Sequence, residues 1–250
     1  MCTSTPGFTL HRLESTFNRD AEGWIAKDKR GENVHMAYNN LGRYISSSSV
    51  YQDNPVYFYA PQKFLGDQKY SYNRNLSFSL QVNGDNPLST LEDIIIEGNG
   101  LRISLPVFAQ GNPIPSSHRN FYTFRLNEDI VYGWTPQMSI REFISLLSNI
   151  TAIKIKTTYT ISGSGQIDDI VLESAIQSPG MDHERASWVE TCTCPKGYDG
   201  QHCESCAAGY KHDPPRGGKF ARCVPCVCNK HGEYCDSESG KCDVSFFSYC

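Results

Sequence analysis

The sequence predicts a mainly-β protein: a β-sandwich of the jelly-roll type with one short helix, followed by a small disulfide-rich region. Two observations predict it. Polar and apolar residues alternate through much of the chain, as they do in half-buried antiparallel strands. Ten of the eleven cysteines lie between Cys192 and Cys250, and residues 3–191 contain none. The first part is long enough to fold on a hydrophobic core, whereas the second needs crosslinks.

Composition limits the classes of function. The 250 residues carry a formal net charge of −4, and the mean hydropathy is −0.45. The sequence has no basic patch for nucleic acid, and it has no apolar run long enough to cross a membrane. We therefore expect neither nucleic acid binding nor membrane insertion. Residues 1–7 have no basic region followed by an apolar one, so they do not predict a signal peptide.

The alternation is clearest in two segments. In residues 75–82 it places Leu76, Phe78, Leu80 and Val82 on one face. In residues 153–161 the apolar positions again share one face, and the opposite face carries lysines 154 and 156. Turn residues separate the other predicted strands, which are 43–51, 55–59, 93–97, 101–108, 121–126 and 167–174.

One segment has helical rather than strand periodicity. Ser139 and Glu142 form the pattern of a capping box, in which each side chain bonds to the other residue's backbone N–H. Apolar residues follow at helical spacing, at positions 140, 143, 144, 147 and 150. We therefore expect a single amphipathic helix packed against the sandwich.

The cysteine cluster allows two interpretations. Cys203-x-x-Cys206 and Cys223-x-x-Cys226 have the spacing of a four-cysteine zinc site. That interpretation leaves other regularly spaced cysteines without a role, and the residues between them are typical of turns. Disulfides account for more of the pattern, and each would stabilise a small secreted module by roughly 2–4 kcal/mol.

The cluster resembles laminin-type EGF-like modules. Residues 194–210 look like the second half of one module, and residues 226–242 look like the first half of the next. The resemblance implies the pairs Cys194–Cys203, Cys206–Cys223, Cys226–Cys235 and Cys228–Cys242. It leaves Cys2, Cys192 and Cys250 unpaired or without a partner in the chain, which then looks like a piece of a longer protein. A bridge between Cys2 and Cys192 is conceivable in such a piece, but the resemblance does not imply it.

The resemblance extends through the cysteine-free part, which is similar to a laminin IV type A domain. It rests on motifs such as Glu97-Gly-x-Gly-Leu-Arg-Ile103, Tyr122-Thr-Phe-Arg-Leu126 and Asp168-Asp-Ile-Val-Leu172. The implied order is the end of a split EGF-like module (1–9), the IV-A domain (10–189), the rest of that module (190–225), the start of another module (226–243) and an unmatched tail (244–250). A single inserted IV-A domain most resembles a laminin gamma chain.

The resemblance implies a secreted, structural role rather than an enzymatic one. The chain would act as a spacer and contact surface in the basement membrane, and it would meet other laminin chains and matrix proteins through its parent chain. The resemblance does not imply which molecule this chain itself binds. The alternative is a carbohydrate-binding, lectin-like module, for which Tyr51, Tyr57 and Tyr59 could form an aromatic platform.

Several residues are candidate sites. Asn75-Leu-Ser and Asn149-Ile-Thr are sequons for N-glycosylation. Similar jelly rolls often hold a structural calcium between an early Glu and a late Asp, which points to Glu14 and Asp168; the alternative is that both are solvated or hydrogen-bonded. No other cofactor is expected. Because adjacent strand residues face opposite ways, Asp168 and Asp169 are not predicted to act as a catalytic pair.

Overall fold

A computed structural model describes residues 2–48, 54–84, 86–160, 162–178, 184–200, 203, 205–215, 221–228 and 235–242. The chain forms two compact units. One unit is Thr9–Arg185, and the other combines Met1–Phe8 with Ala186–Cys250. The first unit is therefore inserted into the sequence of the second. Its far boundary falls four residues before the predicted one, since Ala186 and the buried Val189 belong to the second unit.

Eighteen strands are formed by the described residues. In chain order they are β1 Cys2–Ser4, β2 Phe8–Ser15, β3 Ile25–Asp28, β4 Asn33–Val34, β5 Met36–Asn39, β6 Tyr44–Ser48, β7 Val56–Tyr59, β8 Asn75–Asn83, β9 Ile94–Gly98, β10 Leu101–Leu105, β11 Asn120–Arg125, β12 Ile150–Lys156, β13 Ser164–Gln177, β14 Glu190–Cys192, β15 Tyr198–Asp199, β16 Ser205–Cys206, β17 Tyr210–Asp213 and β18 Arg222–Pro225. The helix α1 is Ile140–Leu147, and four 3-10 turns are Gln62–Phe64, Lys69–Ser71, Ala109–Gly111 and Ile130–Tyr132.

The inserted unit is a sandwich of two antiparallel sheets. One sheet has the order β10-β9-β12-β7-β3-β4, and the other has the order β11-β8-β13-β6-β5 with β2 also paired to β13. Side chains from both sheets form one hydrophobic cluster. It includes Ile94, Ile96, Ile153, Ile155 and Phe58 from the first sheet and Leu76, Phe78, Leu80, Ile45, Tyr122 and Phe124 from the second. The predicted mainly-β sandwich is thus confirmed.

The strand β8 follows its predicted pattern inside the sandwich. Leu76, Phe78, Leu80 and Val82 are all buried in the core. The ring of Phe78 stacks on Tyr122 and Phe124 of the neighbouring strand, with centroid distances of 5.6 and 5.7 Å. Because β8 lies between β11 and β13, the serines on its other face are buried as well. β8 is therefore an interior strand of the second sheet with buried side chains on both faces.

The lysines of β12 depart from the predicted pattern. Lys154 is half-buried and binds Glu97 at 2.7 Å. Lys156 is only 4% exposed, and its ammonium lies 3.1 Å from Oδ1 of Asp93, which is fully buried. Asp93 also accepts hydrogen bonds from the backbone N–H groups of Thr90 and Val107. The expected solvent face of β12 therefore contains a buried ion pair, because residues 88–93 cover it.

The helix α1 has the predicted capping box. The hydroxyl of Ser139 accepts from the N–H of Glu142, and the carboxylate of Glu142 accepts from the N–H of Ser139 at 2.8 Å. Phe143 and Leu147 pack into the sandwich core. With eight residues it is the longest helix in the described part of the chain, and none there could span a bilayer.

Candidate functional site

The two ends of the inserted unit are held together by a short pair of strands. β1 pairs antiparallel with β14, and Cys2 lies directly opposite Cys192. Beyond this pair, the N–H of Thr5 donates to the carbonyl of Val189 at 2.7 Å, and the two threonine hydroxyls of Thr5 and Thr191 are 2.7 Å apart. We call Cys2–Thr5 and Val189–Cys192 the clamp.

A disulfide closes the clamp. The structure joins Cys2 to Cys192, across 190 positions of sequence. The expectation that these two cysteines lack partners is therefore wrong for this chain. The physical reason is the register of β1 and β14, which places the two side chains side by side. Cys250, the third cysteine expected to be unpaired, lies outside the described residues.

The remaining cysteines form four local bridges. The structure pairs Cys194–Cys203, Cys206–Cys223, Cys226–Cys235 and Cys228–Cys242. These are the pairs that the family resemblance implies. Few apolar residues are buried in this unit. Among its described residues they are Ala186, Val189 and Ala221. This unit depends on its crosslinks, as small modules do.

This pairing contradicts the zinc interpretation. Among the described residues, one group of three side chains is close enough to hold a metal: Cys206, His212 and Cys223, with ligand atoms within 4.8 Å of one another. Two of its members are bonded to each other as a disulfide. Zinc in proteins is bound by thiolates rather than by disulfide sulfurs. A four-cysteine zinc site is therefore incompatible with this structure.

His212 connects the split module to the next one. Its side chain is 3% exposed, and Nδ1 lies 3.3 Å from Oε2 of Glu238. Its backbone N–H donates to the carbonyl of Ser237 at 2.8 Å. The N–H of Cys226 also donates to the carbonyl of Gly209 at 2.8 Å. These backbone bonds thus hold the described residues of the following module against β17.

A β-bulge gathers charged groups at one point of β13. The pairing with β8 shifts register between Asp168 and Val171, and Asp169 has a φ of 49°. As a result, both carboxylates reach the same guanidinium nitrogen of Arg119, at 2.8 and 2.6 Å. The expectation that adjacent strand residues face opposite ways fails here because the bulge interrupts the alternation.

Asp168 is the buried member of this group. Its side chain lies in a depression of about 170 Å³ that is also lined by Tyr44, Gln81, Gln166 and Arg119. Burial raises the pKa of Asp168, and the negative charge of Asp169 adds to this effect. The N–H of Asp169 and the guanidinium of Arg119 oppose the rise. The carboxylate of Asp168 and the guanidinium of Arg119 both line the depression, and the exposed carboxylate of Asp169 binds the same guanidinium.

The two predicted calcium ligands have different surroundings. Asp168 is paired with a guanidinium, which disfavours a divalent cation beside it. The side chain of Glu14 is exposed, and its carbonyl oxygen accepts from the ammonium of Lys63 at 2.6 Å. Lys63 also binds Oε2 of Glu22 at 2.5 Å. A guanidinium therefore contacts the carboxylate of Asp168, and an ammonium contacts the backbone carbonyl of Glu14. The calcium site stays a prediction.

The aromatic platform considered for carbohydrate binding is not assembled from Tyr57 and Tyr59. Tyr57 is buried, and this burial raises the pKa of its phenol. Tyr59 is half-buried, and the ammonium groups of Lys27 and Lys154 lie 5.3 and 5.2 Å from its ring centroid. The ring of Tyr57 is thus enclosed, and the ring of Tyr59 is engaged by two ammonium groups. Tyr51 lies outside the described residues.

The two sequons occupy different environments. Asn149 is exposed in the turn after α1, and its Nδ2 donates to Oδ1 of Asn99 at 3.3 Å. Asn75 is half-buried at the start of β8, where its backbone N–H faces a carboxylate oxygen of Glu173 at 3.4 Å. Ser77, the third residue of the Asn75 sequon, is 9% exposed.

Comparison with known proteins assigns the family. The family model for laminin B (domain IV) matches residues 57–190, which is more than half of the chain. The chain belongs to the laminin B (domain IV) family. A second model, for the laminin EGF domain, matches residues 186–223. The laminin match begins inside the sandwich and ends in the clamp, and the EGF match covers the residues that carry the first local bridges.

Laminin gamma subunits are among the relatives. The human laminin subunit gamma-1 is 43% identical over 245 residues, which is 97% of this chain and 15% of that subunit. The human laminin subunit gamma-2 is 41% identical over 96% of this chain and 20% of that subunit. The chain therefore spans a small part of these relatives. They favour a laminin role over the carbohydrate-binding alternative.

A solved laminin domain has a similar fold. The L4b domain of human laminin alpha-2 matches with a TM-score of 0.52, covering 65% of this chain and 96% of that one. Its sequence identity is 14%, so the likeness concerns the fold alone. It supports the β-sandwich assignment for the laminin domain of this chain.

Three contacts of this chain could not be predicted from its sequence. Arg119 precedes β11 in a stretch without periodicity, so nothing links it to β13 in advance. The pairing of Lys63 with Glu22 joins residues 41 positions apart. His212 lies in a turn-rich stretch whose sequence gives no sign of a contact with the next module. Such long-range polar pairs leave no local pattern.

Proposed function

We propose that this chain is a structural segment of a laminin short arm in the basement membrane. It separates other domains of its parent chain and carries one globular domain on a series of crosslinked modules. It meets the other laminin chains and matrix proteins through that parent chain. The laminin gamma relatives support this role. The observation that carries it is the clamp, which joins the ends of the inserted sandwich within the module unit.

The clamp gives the spacer a mechanical property. A tension applied between Cys2 and Cys192 passes through one covalent S–S bond and the hydrogen bonds of β1 and β14. The residues between these cysteines then carry no load, because they form a closed loop. A globular domain can thus be inserted into a load-bearing series of modules without being pulled apart.

Force measurements on the full chain test this mechanism. The chain is held by tags at both ends and stretched under non-reducing conditions. The loop of 190 positions would release about 650 Å of extended chain if it unfolded under load, at about 3.4 Å per residue. We expect no such step in the wild-type chain. We expect it in the Cys2→Ser/Cys192→Ser variant, where the sandwich lies in the load path.

A domain exchange tests the laminin role itself. The matching segment of the human gamma-1 subunit is replaced by this chain, and secretion of the trimer and its deposition into matrix are measured. We expect both to be retained. Retention of the exchanged subunit inside the cell, with the original subunit secreted normally, would count against the proposed role.

A further inference from the structure

The sequence contains two asparagine-glycine pairs, and their surroundings in the sandwich differ. Asn83 is the last residue of β8 and precedes Gly84, whereas Asn99 and Gly100 form the turn between β9 and β10. An asparagine before a glycine is prone to lose its side-chain amide, because glycine leaves its backbone nitrogen unshielded for attack on the amide carbon. In a folded protein, this reaction requires that the asparagine side chain can turn towards that nitrogen.

The side chain of Asn83 is exposed and weakly held. Asn83 pairs with Ser164 of β13. In the described part of the chain, its side-chain amide makes one hydrogen bond, a long one in which Nδ2 donates to Oγ of Ser164 at 3.3 Å. Gly84 is exposed as well. The pair therefore lies at the surface, and the side chain of Asn83 can turn after the loss of one weak contact.

The backbone at residue 84 requires glycine. Its φ is 122°, a conformation that residues with a side chain rarely adopt. A Cβ at this position would collide with the hydroxyl oxygen and the Cβ of Thr160. The hydroxyl of Thr160 donates to the carbonyl of Asn83 at 3.2 Å, which holds it in place. The fold therefore keeps, directly after Asn83, the residue that shields its backbone nitrogen least.

The side chain of Asn99 is held at three points. Its Nδ2 donates to the carbonyl of Ser145 and, at 3.0 Å, to the hydroxyl of Ser148. Its Oδ1 accepts from Nδ2 of Asn149 at 3.3 Å. Because both hydrogens of the amide are used, the end of α1 fixes the side chain of Asn99 away from the nitrogen of Gly100.

We propose that Asn83 is a site of spontaneous deamidation and that the fold protects Asn99. The backbone nitrogen of Gly84 attacks Cγ of Asn83, so that a C–N bond forms and the bond from Cγ to Nδ2 breaks. Nδ2 leaves as ammonia, together with the proton of the Gly84 N–H. Water then opens the cyclic imide at either carbonyl and gives aspartate or isoaspartate. The reaction needs no enzyme, and the inference does not depend on the proposed function.

The products change the end of β8. Both place a carboxylate beside Ser164, and isoaspartate also adds one carbon to the main chain. We expect this extra carbon to disrupt the pairing of residue 83 with Ser164 and the contact of its carbonyl with Thr160. The rest of β8 keeps its pairing with β11 and β13. The modified chain should therefore stay folded, carry one more negative charge, and exchange its amide hydrogens faster at this end of the strand.

Ageing of the purified full chain tests the inference. The folded chain is incubated at neutral pH, and peptides that cover residues 83 and 99 are followed by mass spectrometry, with an isoaspartyl methyltransferase to label isoaspartate. We expect position 83 to react at least about tenfold faster than position 99, since ring closure at Asn99 must first break two donor bonds. In denaturant, with the disulfides intact, both positions should react at similar rates because the protection by the fold is lost.

Two variants separate the two positions. Asn83→Gln removes the reactive side chain, so the product at position 83 should disappear while the rate at Asn99 stays the same. Ser148→Ala removes one acceptor of the Asn99 amide and should raise the rate at Asn99 in the folded chain severalfold. An intact Asn83 in the folded chain, when the denatured chain reacts there, would overturn the inference. Equal rates at both positions in the folded chain would do the same.

Discussion

Opening the clamp should destabilise the sandwich through the unfolded state. We consider the variant Cys2→Ser/Cys192→Ser, which removes both thiols together and leaves no free cysteine to exchange. In the chain-entropy model, a crosslink across 190 positions lowers the entropy of the unfolded chain by an amount worth about 5 kcal/mol at 25 °C. Residues 2–4 are exposed, so the folded state loses little packing when the bridge is removed.

We therefore expect the free energy of unfolding of the sandwich to fall by about 3–5 kcal/mol. Chemical denaturation of the full chain, followed by tryptophan fluorescence, measures it. Trp24 and Trp134 are buried in the sandwich core and report on its unfolding. The transition should move to lower denaturant and keep its native baseline, since the sandwich itself is unchanged.

A matched variant provides the control. Cys228→Ser/Cys242→Ser also removes one bridge, but this bridge closes 14 positions outside the sandwich. It should leave the sandwich transition where it is. If opening the clamp shifts the transition by less than about 1 kcal/mol, or if both variants shift it equally, the reasoning from loop closure is refuted.

Four further substitutions test particular contacts. Asp93→Ala leaves the ammonium of Lys156 buried without its partner and should lower the free energy of unfolding by about 3–5 kcal/mol in chemical denaturation. Lys156→Met should cost less, since Asp93 keeps its N–H donors. Gly98→Ala places a Cβ against the carbonyl oxygen of Leu146 and should lower the melting temperature, at a cost of about 1–3 kcal/mol. Burial opposes ionisation of Glu22, but its hydrogen bonds, led by that from Lys63, outweigh burial and lower its pKa. Its stabilising effect is therefore present above the unfolded-state pKa and lost as the pH falls through the folded one, so a denaturation series in acid should show a smaller loss for Glu22→Gln than for wild type.

Much of the fold could be predicted because its patterns are local. The alternation of β8 and the capping box of α1 each involve a few neighbouring residues, and both occur as predicted. The four bridges from Cys194 to Cys242 have the pairing that the family resemblance implies, although spacing alone could not give that connectivity. The strands before Tyr44 were not predicted, since their polar composition hides the alternation.

The rest depends on contacts between distant residues. The burial of Lys156 follows from the path of residues 88–93, which no periodicity reveals. The bulge at Asp169 requires a left-handed backbone at a residue other than glycine, and nothing in the sequence marks it. The half-burial of Asn75 likewise became visible only with the structure.

The bridge between Cys2 and Cys192 explains why a module can accept so large an insertion. The sandwich ends where it begins: Thr9 bridges to Arg185, and the N–H of Ala186 donates to the carbonyl of Phe8 at 3.0 Å. Insertions are tolerated when the ends of the inserted domain lie close together. Along the chain, these paired ends are followed by the separate antiparallel pair of β1 and β14. The disulfide Cys2–Cys192 joins the two strands at the positions where their register already sets the cysteines opposite each other, so the bridge needs only the pairing of β1 with β14.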